Sequence, residues 1–175
     1  MIDINKENNI QKNEELLYQE WVPAGKFVKA VMLFVFLLIL TIGIIFTALR
    51  HKELMFIGIL FGGISLFILL LYWNFRGLKI TLTKNQLEVV YGIFNHKRIP
   101  LQKISKCDIT KASFRKYGGI GIRLGLDGSW AYNTDFGEAV KLTFQHGRPF
   151  AFSTRNSQKI CNLINELTEK DLKIK

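Results

Sequence analysis

The chain has 175 residues, of which 49% are hydrophobic and 22% charged, with two Cys and a formal net charge of +10. That length allows one or two domains. The apolar content excludes a disordered chain, and two Cys exclude a disulfide scaffold. Residues 1–75 carry six Lys/Arg and six Asp/Glu, whereas residues 76–175 carry 18 and eight. A neutral, greasy first part joined to a basic second part argues against a simple soluble enzyme.

Residues 1–26 read as a polar N-terminal segment. Its Leu16, Leu17, Tyr18 and Trp21 suit either a short interfacial helix or a segment packed on the following domain. Residues 27–75 read as a transmembrane hairpin. Ala30–Leu49 and Leu54–Trp73 are uncharged runs of 20 residues, separated by Arg50, His51, Lys52 and Glu53. At about 1.5 Å per residue, such a run crosses a hydrocarbon core of about 30 Å. The first run is too long for a signal peptide, shows no small-residue cleavage site, and reads as a retained anchor.

Lys12, Lys26, Lys29, Arg76, Lys79 and Lys84 flank the pair on its outer side, against Arg50 and Lys52 in the link. The positive-inside rule then places both termini in the cytoplasm of a multi-pass cell-membrane protein. Tyr18, Trp21, Phe27, Tyr72, Trp73 and Phe75 mark the matching headgroup layer. Gly58 and Gly62, four apart, and Gly43 at similar depth are the expected helix-packing positions, within the hairpin or between copies. Neither run holds an ionisable residue, which argues against an ion path through these helices alone.

From Leu78 the apolar period changes to two. Leu78–Ile80–Leu82 and Leu87–Val89–Tyr91 read as half-buried strands, with further strands over Arg98–Leu101 and Ile104–Thr110. Asp127-Gly128 between apolar runs signals a hairpin, and Val140–Leu142–Phe144 and Phe150–Phe152 add strands. Asn156 then suits a helix N-cap before Ile160, Leu163, Ile164 and Leu167, one apolar stripe ending near Lys170. Residues 76–175 are therefore expected to form a cytoplasmic domain. Its fold would be an antiparallel β-barrel of about seven strands closed by a C-terminal α-helix, giving an α+β membrane protein.

The order Leu82–Leu87, Tyr91-Gly92-Ile93-Phe94, Arg98-Ile99-Pro100-Leu101 resembles the start of bacterial pleckstrin-homology-like (PH-like) domains. Tyr117–Arg123, Ala131-Tyr132-Asn133 and Phe136-Gly137 resemble a branch of small, two-span membrane proteins that carry such a domain. The resemblance implies a fold and a membrane address but no activity, because PH-like domains serve as lipid binders, peptide binders and assembly modules.

Chemical motifs are sparse. Gly118–Gly125 has neither dinucleotide-loop nor P-loop spacing, and reads as a structural loop or as a recognition loop using Arg123, Tyr132 and Asn133. His51, His96 and His146 are scattered. Cys107 and Cys161 read as small buried or half-buried residues, reduced in the cytoplasm. Asp127 and Asp135 read as turn acids. No metal site, cofactor or catalytic set is expected. The candidate recognition surface is basic: Lys97, Arg98, Lys103, Lys106, Lys111, Arg115 and Lys116, interleaved with Phe114 and Tyr117. The expected partners are the bilayer and an unknown protein or a second copy of the chain, with anionic lipid headgroups as the alternative and nucleic acid disfavoured.

Overall fold

The computed structural model describes residues 15–49 and 54–173. The Arg50–Glu53 link, with His51, and Lys12 lie outside the described residues.

Strand β1 (Leu16–Pro23) comes first, followed by helices α1 (Lys26–Leu49) and α2 (Leu54–Asn74). Thr41 and Thr47 donate their hydroxyls to the Leu37 and Gly43 carbonyls, each at 2.8 Å, so the polar atoms inside this apolar helix are satisfied locally. The two helices run antiparallel. Gly43 backs onto Phe61, and the Phe46 and Phe61 rings stack with centroids 6.1 Å apart. A β-carbon on Gly58 or Gly62 would meet no atom within 4 Å. Gly43 is thus a packing position, but Gly58 and Gly62 do not pack against α1, because α2 turns the bulky Phe61 to it instead. By length and composition α1 is a candidate membrane span, and almost none of it is buried within the protein. Helix α2 contributes the shorter apolar stretch Gly58–Asn74.

Two sheets follow. The first has the order β1-β2-β3-β4, adding β2 (Gly77–Thr83), β3 (Gln86–Tyr91) and β4 (Asn95–Pro100). A 3-10 turn, Leu101–Lys103, leads to β5 (Ile104–Ala112) and the short helix α3 (Phe114–Tyr117). Then come β6 (Gly121–Leu124), β7 (Trp130–Asn133), β8 (Gly137–Phe144) and β9 (Phe150–Ser153), and the second sheet is ordered β5-β8-β9-β7-β6. The last helix, α4, covers Ser157–Lys173.

This layout departs from an antiparallel barrel of about seven strands. Among the described residues, nine strands form two sheets, neither closed on itself, and β7 pairs with β9 in parallel. One cause is the N-terminal segment. Leu16–Pro23 is not set apart from the domain; it pairs along β2 from Thr83 to Gly77 and forms an edge of the first sheet. The other cause is that β9 lies between β8 and β7, which brings it alongside a strand of its own direction.

Both sheets and α4 share one core. Leu78, Ile80, Leu82 and Val89 meet Val140, Leu142, Phe150 and Phe152, and Ile160 and Ile164 of α4 enter from its apolar stripe. The alternation read along β2, β3 and β8 is the inward face of each strand. Cys107 of β5 and Cys161 of α4 are not separate thiols. They form a disulfide, with Cα atoms 5.5 Å apart. Cys107 points inward from β5 and α4 lies across that strand, so the two side chains meet. Asn165 of α4 secures the same contact: its carbonyl accepts the Cys107 amide at 3.3 Å and its amide donates to the Cys107 carbonyl at 3.5 Å.

Glu20 ties the N-terminal strand to the second sheet. Its carboxylate accepts the Tyr18 hydroxyl at 2.8 Å, the Thr154 hydroxyl at 2.5 Å and the Arg155 amide at 2.9 Å. Hydrogen bonds to a charged group contribute about 1.5–3 kcal/mol. Glu20→Ala is expected to lower the unfolding free energy by about that amount, measured by urea denaturation of the full chain in micelles. An unchanged midpoint would show that the bridge contributes nothing.

Candidate functional site

The helix pair stands on the sheets through backbone hydrogen bonds. Pro23 pairs with Gly77, and the Ala24 amide donates to the Arg76 carbonyl at 2.8 Å. The Trp21 ring lies over Gly77, where a β-carbon would collide with it, and the Arg76 guanidinium sits 5.9 Å from the centre of that ring. At the end of α2, the Asn74 side chain accepts the Ile93 amide at 2.7 Å, and Gly92, in the left-handed region at φ 74°, fits closely against Asn74. That contact brings the β3–β4 turn, with its exposed Ile93 and Phe94, up to the foot of α2. At the start of α1, the Gly25 amide donates to the Thr134 carbonyl at 2.9 Å, and the Asp135 carboxylate packs on Gly25. Negative charge there suits the positive end of the helix. Phe27 packs on Phe136, which packs edge-on to Phe114, both pairs with centroids 6.5 Å apart. The foot of the helix pair is therefore ringed by exposed aromatic side chains, Trp21, Phe27, Trp73, Phe94 and Phe114.

The basic residues singled out in the sequence do not form one patch. Lys97 and Arg98 lie on β4 in the first sheet, and the others lie along β5, the turn before it and α3. Lys103 and Lys111 are about 26 Å apart at the usual rise per strand residue. Several are already engaged. Arg98 pairs with Glu88 at 3.1 Å, and Lys106 with Asp108 at 2.7 Å. The Lys97 ammonium sits 5.2 Å from the Phe150 ring centre. Lys116 donates to the Thr110 hydroxyl at 2.9 Å and covers the Tyr117 ring. Lys103, in the turn before β5, remains, as do Lys111 and Arg115, which lie beside Phe114 near the foot of α1.

The aromatic and polar members divide too. Tyr117 and Asn133 are buried and present no surface. Tyr132 is half-buried between Tyr91 and Phe150. Arg123 is exposed, but its Nε donates to the Ile120 carbonyl at 3.1 Å and folds the side chain over Gly119. The glycine-rich stretch serves the backbone: Gly118, at φ 66°, ends α3, and its amide donates to the Phe114 carbonyl. Sequence reasoning missed Glu20, Asn74 and the Phe27–Phe136–Phe114 chain, because single polar residues and unpaired aromatics carry no periodic signal.

Asp127 holds the β6–β7 turn. It accepts Lys141 Nζ at 2.7 Å, together with the Ser129 amide and hydroxyl. Burial pulls its carboxyl upward, but the hydrogen bonds from Lys141 and Ser129 outweigh that and hold it well below the usual carboxylate range. Among the described residues, no three or more His, Cys, Asp or Glu side chains converge as metal ligands. No protein-family model matches the chain, and no curated protein matches it.

A carboxyl held low in the folded state stabilises the fold above its unfolded pKa and loses that effect as pH falls. Asp127 should therefore stabilise the fold fully above about pH 4 and progressively less below it. Asp127→Asn should flatten that part of the stability–pH curve, measured by thermal unfolding between pH 2 and 6. A curve parallel to the parent's would contradict the assignment.

Proposed function

We propose that the chain is a membrane-anchored, non-catalytic binding module with a PH-like domain, working by protein–protein interaction at the inner face of the cell membrane. The anchor reading is supported by the exposed helix surface. Phe34, Ile44, Ile59 and Phe67 are 60–70% exposed. Contiguous apolar area of this kind marks a membrane or protein contact. The return of the chain supports a second crossing. β1 precedes α1, β2 follows α2, and the two strands pair, so a chain that crosses with α1 comes back with α2. The charge on the outer flanks supports cytoplasmic termini. Two stacked sheets with a helix packed into their shared core support the PH-like reading.

The observation that carries the protein-binding reading is the far end of the β6–β7 hairpin. Asn133 and Thr134 lie at the foot of α1, while Leu124, Leu126 and Trp130 lie at the opposite end of the same hairpin. They are 52%, 87% and 41% exposed, next to the open edge of β6. An exposed apolar cluster at the end of the hairpin away from α1 is suited to a protein surface. A second reading is favoured by Lys111, Arg115 and exposed Phe114 at the foot of α1, a composition suited to anionic headgroups.

A photo-crosslinking residue at position 126, activated in native membranes, should give discrete protein adducts, including any with a second copy of the chain. Leu124→Ser should reduce them several-fold. Lipid adducts without any discrete protein adduct would exclude the first reading. The Cys pair reports the side. The fold joins Cys107 to Cys161, whereas cytoplasmic thiols are kept reduced, so on the cytoplasmic face the bond should be open in the cell and alkylation of intact, acid-quenched cells should modify both Cys. A protected pair would place the domain outside.

A further inference from the structure

Two cavities meet at one lysine. The first is an open polar cavity of about 570 Å³ between the start of α1 and the second sheet. Lys26, Lys29, Thr134, Asp135, Glu138 and Arg155 are among its lining residues. The second is an apolar groove of about 300 Å³ between α1 and α2, lined by Met32, Leu33, Phe36, Ile68, Leu69 and Tyr72, and again by Lys29.

The polar cavity has unused cationic and hydrogen-bonding capacity. Its acids are committed within the protein: Asp135 packs on Gly25 and accepts the Phe136 amide at 2.8 Å, and Glu138 accepts the Ser157 hydroxyl at 2.8 Å. Its cations are not. Lys26, Lys29 and Arg155 make no ion pair among the described residues. The Thr134 hydroxyl is fully buried at the cavity wall and has no hydrogen-bond partner among the described residues. A buried hydroxyl without a partner is uncommon and calls for a ligand or a water.

We infer that this junction binds one anionic glycerophospholipid, its phosphate held by Lys26, Lys29 and Arg155 beside Thr134, and an acyl chain laid in the groove between α1 and α2. The groove decides the class of ligand. A free phosphate would use only the polar half. A lipid uses both, and Lys29 stands where head and chain join. The site is distinct from the Lys111–Arg115 corner. The inference rests on the reading that α1 and α2 lie in a bilayer.

The test uses the full chain purified in dodecyl maltoside. An equimolar mixture of phosphatidylglycerol and phosphatidylcholine is added, and retained lipid is counted by native mass spectrometry. The parent should retain one phosphatidylglycerol, favoured about tenfold or more over phosphatidylcholine. Lys29→Glu should abolish that preference. Leu33→Trp, at a position 59% exposed and therefore tolerant of bulk, should fill the groove and reduce retention of either lipid. Thr134→Val should weaken retention. Equal retention of the two lipids by the parent, or no change in Lys29→Glu and Leu33→Trp, would overturn the inference. So would displacement of the lipid by millimolar inorganic phosphate. Membrane pelleting without detergent separates the two levels. A chain that pellets but shows no lipid preference refutes this site alone, while a chain that stays soluble refutes the membrane reading itself.

Discussion

Pro23 pairs with Gly77, so the residue three before α1 and the residue three after α2 are neighbours in one sheet. This backbone pairing governs the rest of the molecule. It holds the two helices at a common foot and sets them antiparallel. It also makes the N-terminal segment an edge of the first sheet instead of a free tail. The pairing is reinforced on both sides, by the Trp21 ring over Gly77 and by Glu20 reaching Thr154 and Arg155 across to the second sheet. Asn74 and Gly25 add a contact at the base of each helix. The sheet domain is therefore fastened to the helix pair at several points and does not hang from a single linker.

That attachment sorts the surface by height above the helices. Exposed aromatics gather at the foot with Lys111 and Arg115, which make no ion pair among the described residues. The apolar tip of the β6–β7 hairpin points the other way. The same sorting explains why charge alone was a poor guide to a site. Lys97, Arg98, Lys106 and Lys116 are close in sequence but separated in space, and each serves a local ion pair, hydroxyl or ring.

Much of the fold was legible in the residues. The apolar runs mark both helices, the period of two marks β2, β3 and β8, and Asp127-Gly128 marks the β6–β7 turn. The closing helix follows from Ile160, Leu163, Ile164 and Leu167. What periodicity cannot show is pairing between distant segments. Leu16–Pro23 alternates too weakly to announce a strand, and its partner lies some 60 residues on. The parallel placement of β9 against β7 depends on how β8 folds back, which no local pattern states. Cys107 and Cys161 each read correctly as inward-facing, but their meeting depends on where α4 crosses β5. The candidate site was legible least of all. Tyr117 and Asn133 belong to the interior, and Thr134, Lys26 and Lys29 converge only through the fold.

The central claim is that the helix pair lies in a bilayer with the sheet domain held against its surface. Spin labels placed singly at positions 34, 44, 67 and 126 of the full chain in phospholipid vesicles test it most directly, read by relaxation with oxygen and with a water-soluble nickel chelate. The account predicts that labels at 34, 44 and 67 respond to oxygen, deepest near the middle of each helix, and that the label at 126 responds to nickel. Nickel access at 34 and 67 equal to that at 126 would contradict it.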